Sequence, residues 1–402
     1  MKPKSNLDQY KYVSMQIETL KYSGIWCFIP YTTNSFKFWV GFFYRLFIGI
    51  VIFIIPSLGQ VIYLIRLIAN NAEIQEVCAV INLVLTEMLT SIKLLDLCLR
   101  RHFLTQLLEQ INNEEFNLLP RTNLDVLEKS IKFSRRLFVY MVVTSSSVIF
   151  VHVIVIPALN GFRTLPLDMD FILFDVNDYF LCINAYQVLY KPMMIVAFAT
   201  LMSLPWSFMT CAIGQLDVLI YNFENMKELV KATKSETNCG ENEAFESIFK
   251  KCLRHHCAIK RFVNTLEATF GGQFSLTLAF SACIICTTAV QLFSIESLRD
   301  NIAALFWIFP YFIDFIIFLF IDCYLGEFVT MKSGRISTAV YSCPWVDLTP
   351  KLSRSLVTVI GETQRPLVIR AMNKLVPVSL ETFTTVMNWT YKGFALMNQT
   401  KD

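Results

Sequence analysis

The residues of this sequence that could do chemistry are ionisable groups set within long apolar segments. Glu87 and Asp314 lie near the middle of two such segments, where a charged group is costly unless it is paired, hydrated or functional. These two carboxylates could relay protons or ions, or they could pair with neighbouring helices. Six further ionisable residues lie nearer the ends of apolar segments, where long side chains reach the surface or pair: Glu76, Lys93, Asp96, Lys191, Asp322 and Lys392.

Catalytic and metal-binding sequence patterns are absent. The four histidines form no His-Glu-x-x-His motif, and the chain has no Gly-x-Ser-x-Gly and no glycine-rich phosphate loop. His255 and His256 are adjacent, so on a helix they point about 100° apart. Cys283 and Cys286 lie in an apolar run and indicate helix packing. We predict no enzyme activity, metal or cofactor, and the dispersed basic residues predict no nucleic-acid binding.

Composition places these residues in a membrane protein. Hydrophobic residues make up 54% of the 402 residues and charged residues only 17%, whereas soluble domains carry about 25% charged residues. A bilayer core needs about 20 apolar residues per helix. We predict an all-α membrane protein formed by a single seven-helix domain over residues 1–402. The seven transmembrane helices are predicted at 40–67, 74–98, 137–159, 183–215, 272–294, 302–326 and 377–398.

The distribution of basic residues predicts the orientation. Lysines and arginines between the spans are concentrated in alternate segments, and the segments on the other side hold only Arg163 and Arg299 before the C-terminal tail. Because basic segments stay in the cytoplasm, we expect a cytoplasmic N-terminus and an extracellular C-terminus, the reverse of G-protein-coupled receptors. Apolar residues at helical spacing predict that the cytoplasmic segments 99–136, 216–271 and 330–370 are helical extensions that pack on one another.

The seventh span carries a polar stripe. Thr384, Asn388, Tyr391 and Asn398 recur at offsets that place them near one helical face. A helix facing lipid would not carry this stripe, so it faces either a partner helix or water. Phe394, near the outer end, and Met397 could close a water-filled path by dewetting.

Short sequence blocks in the C-terminal third resemble the insect odorant receptors. The order and spacing of these blocks are those of that family. Arg163-Thr164-Leu165-Pro166-Leu167 and Gln187, in the middle of the chain, also agree with it. The blocks are Leu253-Arg254-His255-His256 with Ile259, Phe262 and Leu266-Glu267; Cys323-Tyr324-Leu325-Gly326-Glu327 with Ala339-Val340-Tyr341 and Cys343-Pro344-Trp345; and Gln364-Arg365-Pro366, Pro377-Val378-Ser379-Leu380, Thr382-Phe383 and Thr390-Tyr391.

The resemblance implies a tetrameric cation channel with a cytoplasmic anchor domain and a pore lined by the second half of the seventh helix. The long insertion of the shared co-receptor is absent, so the chain looks like an odour-binding tuning subunit. Tyr391 is followed by Lys392-Gly393 without a later Gln-Phe, unlike the related gustatory receptors. The partners implied are a small volatile odorant, the co-receptor in a heterotetramer and the lipid bilayer, in the plasma membrane of olfactory sensory neuron dendrites.

The resemblance also implies site residues. The pore residues are taken from their position in the last helix, and the ligand-binding residues from the helix that carries them and their depth in the membrane. An apolar volatile would bind chiefly through burial of its surface. The pore and gate candidates are Phe394, Met397 and Asn398. The ligand-binding candidates are Ile81, Leu85, Ser146, Ile149, His152, Tyr190, Met194, Phe198, Phe306 and Phe309. We therefore predict the odorant-binding subunit of a ligand-gated non-selective cation channel. The alternative is a secondary transporter that uses Glu87 and Asp314 as coupling groups.

Overall fold

A computed structural model describes residues 9–23, 35–117, 124–159, 165, 167–171, 178–237, 240–294, 302–344 and 348–399. Apart from one two-stranded hairpin, the regular structure in these residues is helical, so the all-α prediction is confirmed there. The α-helices are α1 (Ser14–Tyr22), α2 (Ser35–Gly49), α3 (Ile55–Ala69), α4 (Ile74–Leu99), α5 (Arg101–Ile111), α6 (Leu124–Ile149), α7 (Ile156–Leu159), α8 (Phe180–Glu224), α9 (Met226–Thr237), α10 (Glu241–Phe293), α11 (Ile302–Tyr341), α12 (Pro350–Thr363) and α13 (Leu380–Gln399).

Two pairs of these helices form longer rods through π-helical turns. Ile50–Ile54 joins α2 to α3, and Phe150–Val155 joins α6 to α7. Within the described residues, six helical stretches are long and apolar enough to cross a membrane. They are Trp39–Ala69, Ile74–Leu99, Asp125–Val155, Phe180–Glu224, Glu241–Phe293 and Trp307–Tyr341.

The helix nearest the C-terminus differs from those six because its composition is more polar. The span predicted at 377–398 corresponds to α13, but that helix begins only at Leu380. Pro377 lies instead in a short antiparallel hairpin, in which Arg370–Ala371 pairs with Val376–Pro377. Thr382 Oγ1 donates a hydrogen bond to the Pro377 carbonyl oxygen at 2.6 Å, which ties the first turn of α13 to the hairpin.

Helix α8 forms the centre of the bundle. It packs against α6 on one side and α11 on another, while α10 packs against α4. Trp206, near the middle of α8, is fully buried, and its indole N–H donates a hydrogen bond to Asp322 on α11. The core is therefore built from helices that are distant in sequence.

A segment near the N-terminus enters this core. The 3₁₀ turn Gln9–Tyr12 and helix α1 pack between α6 and α8. Tyr12 is 1% exposed, and Ser134 Oγ donates to its carbonyl oxygen at 3.2 Å. Gln16 Nε2 donates to Ser207 Oγ at 2.6 Å. The sequence predicted no such role for residues before the first span.

Candidate ligand cavity and pore helix

A largely apolar cavity lies between α4, α6, α8 and α11. Its walls also include Val153 from the π-helical turn after α6 and Leu167 from the segment before α8. The remaining lining residues are Leu83, Thr86, Glu87, Thr90, Ser145, Val148, Lys191, Met194, Ile195, Phe198, Tyr311, Asp314, Phe315 and Phe318.

Three of the four helices reach the cavity with the same spacing. Helix α4 supplies positions 83, 86, 87 and 90, α8 supplies 191, 194, 195 and 198, and α11 supplies 311, 314, 315 and 318. Offsets of three, four and seven residues lie on one helical face. Each helix therefore presents a stripe of two turns to the cavity, and the segments are the second, fourth and sixth predicted spans.

An ion pair forms one wall of the cavity. Lys191 Nζ lies 2.9 Å from Glu87 Oε1, and both side chains are almost fully buried. Gln60 Nε2 donates to the same oxygen at 3.0 Å, and the Tyr190 hydroxyl reaches it at 3.5 Å. Burial makes an unpaired charge very costly, so the positive Lys191 compensates the carboxylate of Glu87.

A second set of hydrogen-bonded polar side chains lies where α11 borders the cavity. The hydroxyl groups of Thr86 and Tyr311 are 2.5 Å apart, and Tyr311 also donates to the carbonyl oxygen of Asn82 at 3.1 Å. Asp314 accepts a hydrogen bond from Tyr140 at 3.4 Å. These bonds connect α4 to α11 and α6 to α11 around the cavity.

The ligand-binding residues predicted from sequence occupy different environments. Met194 and Phe198 line the cavity. Tyr190 is buried beside Glu87, while Ile81 and Leu85 are partly buried on α4 away from the lining stripe. Ser146 is exposed and adjoins the lining residue Ser145, and Phe309 is 56% exposed. The side chains of Ile149, His152 and Phe306 lie outside the described residues.

Sequence reasoning did not assign Thr86, Tyr311, Phe315 and the Glu87–Lys191 pair to the ligand cavity. The repeated spacing of three, four and seven residues within α4, α8 and α11 could have indicated them. Hydropathy alone could not, because residues that face lipid are as apolar as residues that face the cavity.

Helix α13 has two distinct faces. Val386 and Thr390 are buried against α10 and α11. The exposed residues fall in one continuous arc of the helix, as expected from 100° per residue. They are Glu381, Thr384, Thr385, Asn388, Trp389, Tyr391, Lys392 and Leu396. This chain alone therefore leaves Thr384, Asn388 and Tyr391 of the predicted polar stripe uncovered.

The three pore and gate candidates lie in the last two turns of α13. The ring of Phe394 is half-buried and lies 4.9 Å from the ring of Phe293, measured between centroids. Met397 and Asn398 belong to the helix, but their side chains lie outside the described part. In the portion of the chain that the structure describes, no three His, Cys, Asp or Glu side chains group as metal ligands would.

The profile of the 7tm Odorant receptor family matches residues 73–391 of this chain. The chain belongs to that family. Membership of this family, together with the six long apolar helices, makes the chain a multi-pass membrane protein. The matched region begins just before α4 and includes most of α13, so it contains the whole cavity.

Individual odorant receptors are similar over different lengths. Odorant receptor 46a isoform B from Drosophila melanogaster is 21% identical over 361 residues, which cover 88% of this chain and 89% of that protein. Odorant receptor 2a from the same species is 28% identical over 172 residues, 42% of this chain and 43% of that protein. Odorant receptor Or2 from Anopheles gambiae is 24% identical over 219 residues, 53% of this chain and 56% of that protein.

A solved structure shares the fold of this odorant receptor. The insect olfactory receptor OR5 from Machilis hrabei superposes with a TM-score of 0.78, covering 97% of this chain and 98% of that one at 15% identity. A second structure of OR5, in complex with eugenol, superposes with the same TM-score.

Proposed function

We propose that the chain is the odorant-binding subunit of a ligand-gated, non-selective cation channel. The observation that carries this proposal is the exposed polar face of α13. Thr384, Asn388 and Lys392 lie on it in a helix whose opposite face is buried in the bundle. Such a face needs water or other subunits, and a pore at the centre of an oligomer supplies both. Phe394 and Met397, near the end of the helix, remain the predicted gate residues, although the ring of Phe394 packs against Phe293 of α10 and lies outside the exposed arc.

The proposed ligand site is the cavity between α4, α6, α8 and α11. Phe198, Phe315 and Phe318 supply aromatic surface. Met194 adds a flexible thioether side chain and Ile195 a branched aliphatic one. A small volatile would be held mainly by burial of its apolar surface. The eugenol complex of OR5, a protein with the same fold, supports a small-molecule ligand for this chain as well.

Helix α11 provides a route from the cavity to the pore helix. Phe318 lines the cavity, and Gly326 lies eight residues further along the same helix, a rise of about 12 Å. At Gly326 the helix approaches the carbonyl oxygen of Val378, two residues before α13 begins. Ligand binding that favours a different position of α11 would therefore change the position of the first turn of α13.

The membrane arrangement follows from the charges. We infer seven crossings with the N-terminus in the cytoplasm, because the basic residues between the spans concentrate on one side. The cytoplasmic anchor then consists of segments 99–136, 216–271 and 330–370, which include α5, α9, α12 and the polar ends of α6, α8, α10 and α11. The location is the plasma membrane of sensory neuron dendrites, and the partner is the family's co-receptor in a heterotetramer.

Whole-cell recording tests the proposal. Cells expressing the chain with an insect co-receptor are compared with cells expressing either protein alone, during a broad odorant panel. An odour-evoked cation current with unitary steps only in the combined cells is expected. A flux that saturates and depends on an ion gradient would instead support the transporter alternative, in which Glu87 and Asp314 act as coupling groups. Surface-expressed protein with no odour response across the panel would contradict the channel assignment.

A further inference from the structure

One oxygen atom in the cavity wall lacks a hydrogen-bond partner among the described residues. All three donors around Glu87, from Gln60, Tyr190 and Lys191, reach Oε1. The other oxygen, Oε2, is buried and accepts no hydrogen bond from the part of the chain that the structure describes. Leaving a buried acceptor unsatisfied is costly, and the cost is larger for a charged group. Glu87 itself is 3% exposed.

A second unpartnered polar atom belongs to Ser145, a residue on another wall of the cavity. Ser145 on α6 is 7% exposed, and its hydroxyl oxygen is buried without a partner in the described structure. Glu87 and Ser145 both line the same cavity, whose other walls are mainly aliphatic and aromatic. Two of the residues that line the cavity therefore keep unused hydrogen-bonding capacity among the described residues.

We infer that the cavity selects ligands carrying a neutral hydroxyl group, namely alcohols and phenols, and that Glu87 is the acceptor that recognises this group. The ligand O–H donates to Glu87 Oε2, and its oxygen can accept from the hydroxyl of Ser145 or from a remaining N–H of Lys191. The apolar remainder of the ligand packs against Phe198 and Phe315. This inference rests on the proposed ligand cavity and extends it by naming the chemical class.

The ion pair explains why a neutral donor fits better than a charged one. Lys191 already compensates the charge of Glu87 at 2.9 Å. A ligand ammonium beside Glu87 would meet the positive charge of Lys191, and the loss of its hydration would also oppose binding there. The other carboxylate that lines the cavity, Asp314 on α11, accepts a hydrogen bond from Tyr140. An ether or alkane of the same size would enter, but would leave Oε2 unsatisfied.

Ligand-dependent thermal unfolding of the full chain in lipid nanodiscs tests this inference without requiring channel activity. Two sets of ligands with equal heavy-atom counts serve as probes. The aliphatic set is hexan-1-ol, 1-methoxypentane and heptane, with hexan-1-amine as the cation. The aromatic set is 2-phenylethanol, benzyl methyl ether and propylbenzene. The expected result is that in at least one set the alcohol binds about tenfold more tightly than the ether, since a hydrogen bond to a charged group is worth at least that factor.

Two variants make the comparison specific. Glu87→Met/Lys191→Met removes the acceptor and its counter-charge together, and also corrects for partition of each probe into lipid. The alcohol preference is expected to disappear in this variant. Phe198→Leu trims the apolar wall and is expected to weaken alcohol and ether binding by similar factors. The expected pattern is therefore loss of selectivity in the first variant and loss of affinity in the second.

Several results would overturn the inference. They are equal binding of alcohol and ether by the unmodified chain, tighter binding of the amine, an alcohol preference that survives in the double variant, or no stabilisation by either alcohol. Failure of the proposed channel function has a different signature. In that case the alcohols would stabilise the chain selectively, while cells co-expressing it with the co-receptor would show no alcohol-evoked current.

Discussion

Gly326 on α11 lies so close to the Val378 carbonyl oxygen that a Cβ atom at position 326 would collide with it. Val378 in turn donates its backbone N–H to Ile369 at 2.9 Å and precedes α13 by two residues. The absence of a side chain at one position thus permits the contact between the helix that lines the cavity and the start of the proposed pore helix.

Replacing this glycine should separate the two helices. Gly→Ala in a helix usually stabilises by about 0.5–1 kcal/mol, but at Gly326 the clash should instead destabilise by about 1–3 kcal/mol. We expect Gly326→Ala to lower the thermal unfolding midpoint and the odour-evoked current. Gly334→Ala on the same helix is the control, because its new Cβ would meet only Pro366 at 4.0 Å. Equal unfolding midpoints and equal odour-evoked currents for the two variants would contradict the close contact.

The buried ion pair should show strong coupling. Lys191→Met leaves Glu87 buried without its counter-charge, and such a loss costs about 3–5 kcal/mol. Glu87→Met/Lys191→Met removes both charges and should be markedly more stable than Lys191→Met alone. Thermal unfolding of the chain in nanodiscs measures both variants and the Glu87→Met single change.

A matched surface pair provides the control for this cycle. Lys234 and Glu241 are 3.8 Å apart, with side chains that are 54% and 76% exposed. Exposed pairs contribute about 0–1 kcal/mol, so Lys234→Met should change the midpoint little. Strictly additive effects of the changes at Glu87 and Lys191 would show that the two residues are not coupled.

The face of α13 that we propose to line the pore can be mapped with cysteine substitutions. Asn388 is exposed in the chain and Thr390 is 6% exposed. In channels formed with the co-receptor, a charged methanethiosulfonate reagent should reduce odour-evoked current through Asn388→Cys and leave Thr390→Cys unaffected. The unmodified chain reports any contribution from native thiols such as the exposed Cys283. A current through Asn388→Cys that is insensitive to the reagent would place this face outside the water-filled path.

His255 should make stability depend on pH. It lies in the polar part of α10, outside the apolar segment 272–294, and its Nε2 is 2.8 Å from Gln215 Oε1. Burial, with a smaller effect from His256, lowers the pKa of His255 to about 4. The folded protein therefore holds the neutral ring, while the unfolded chain protonates near pH 6.5. The stabilisation is full above pH 6.5 and is lost as pH falls towards 4.

The size of this effect follows from linkage. Lowering the pH from 7.5 to 5 should cost about 2 kcal/mol through this residue. Thermal unfolding across that range should show a flatter pH dependence for His255→Asn than for the unmodified chain. His102→Asn, at an exposed position, should keep the original slope. Parallel curves for all three proteins would mean that His255 is not held neutral by its surroundings.

The polar stripe on α13 could be derived from the sequence because it depends only on the spacing of residues within one helix. Thr384, Asn388 and Tyr391 share a helical face at any position of that helix in the bundle. The sequence blocks around Gly326 and Tyr391 likewise indicated the family before any helix was placed, and the family match confirms that resemblance. Long apolar runs indicated the membrane spans for a similar reason, since the bilayer thickness determines their length.

The N-terminal segment shows the limit of that approach. Residues 9–22 have neither a long apolar run nor a strong amphipathic pattern, yet Tyr12 and Ile17 are buried. Their burial depends on α6 and α8. Ser134 of α6 donates a hydrogen bond to this segment, and Ser207 of α8 accepts one from it. Only the assembled bundle creates a place for this segment.

The sequence by itself determined the class of the protein, its helical spans and the polar character of its last helix, because each depends on composition or on spacing within one helix. The tertiary structure decided which residues line the cavity. In a soluble protein the apolar face of a helix points inward, but in a membrane both the lipid-facing and the core-facing sides are apolar. Hydropathy therefore does not give the rotation of α4, α8 and α11, and the pairing of Glu87 with Lys191 required those helices to be placed together.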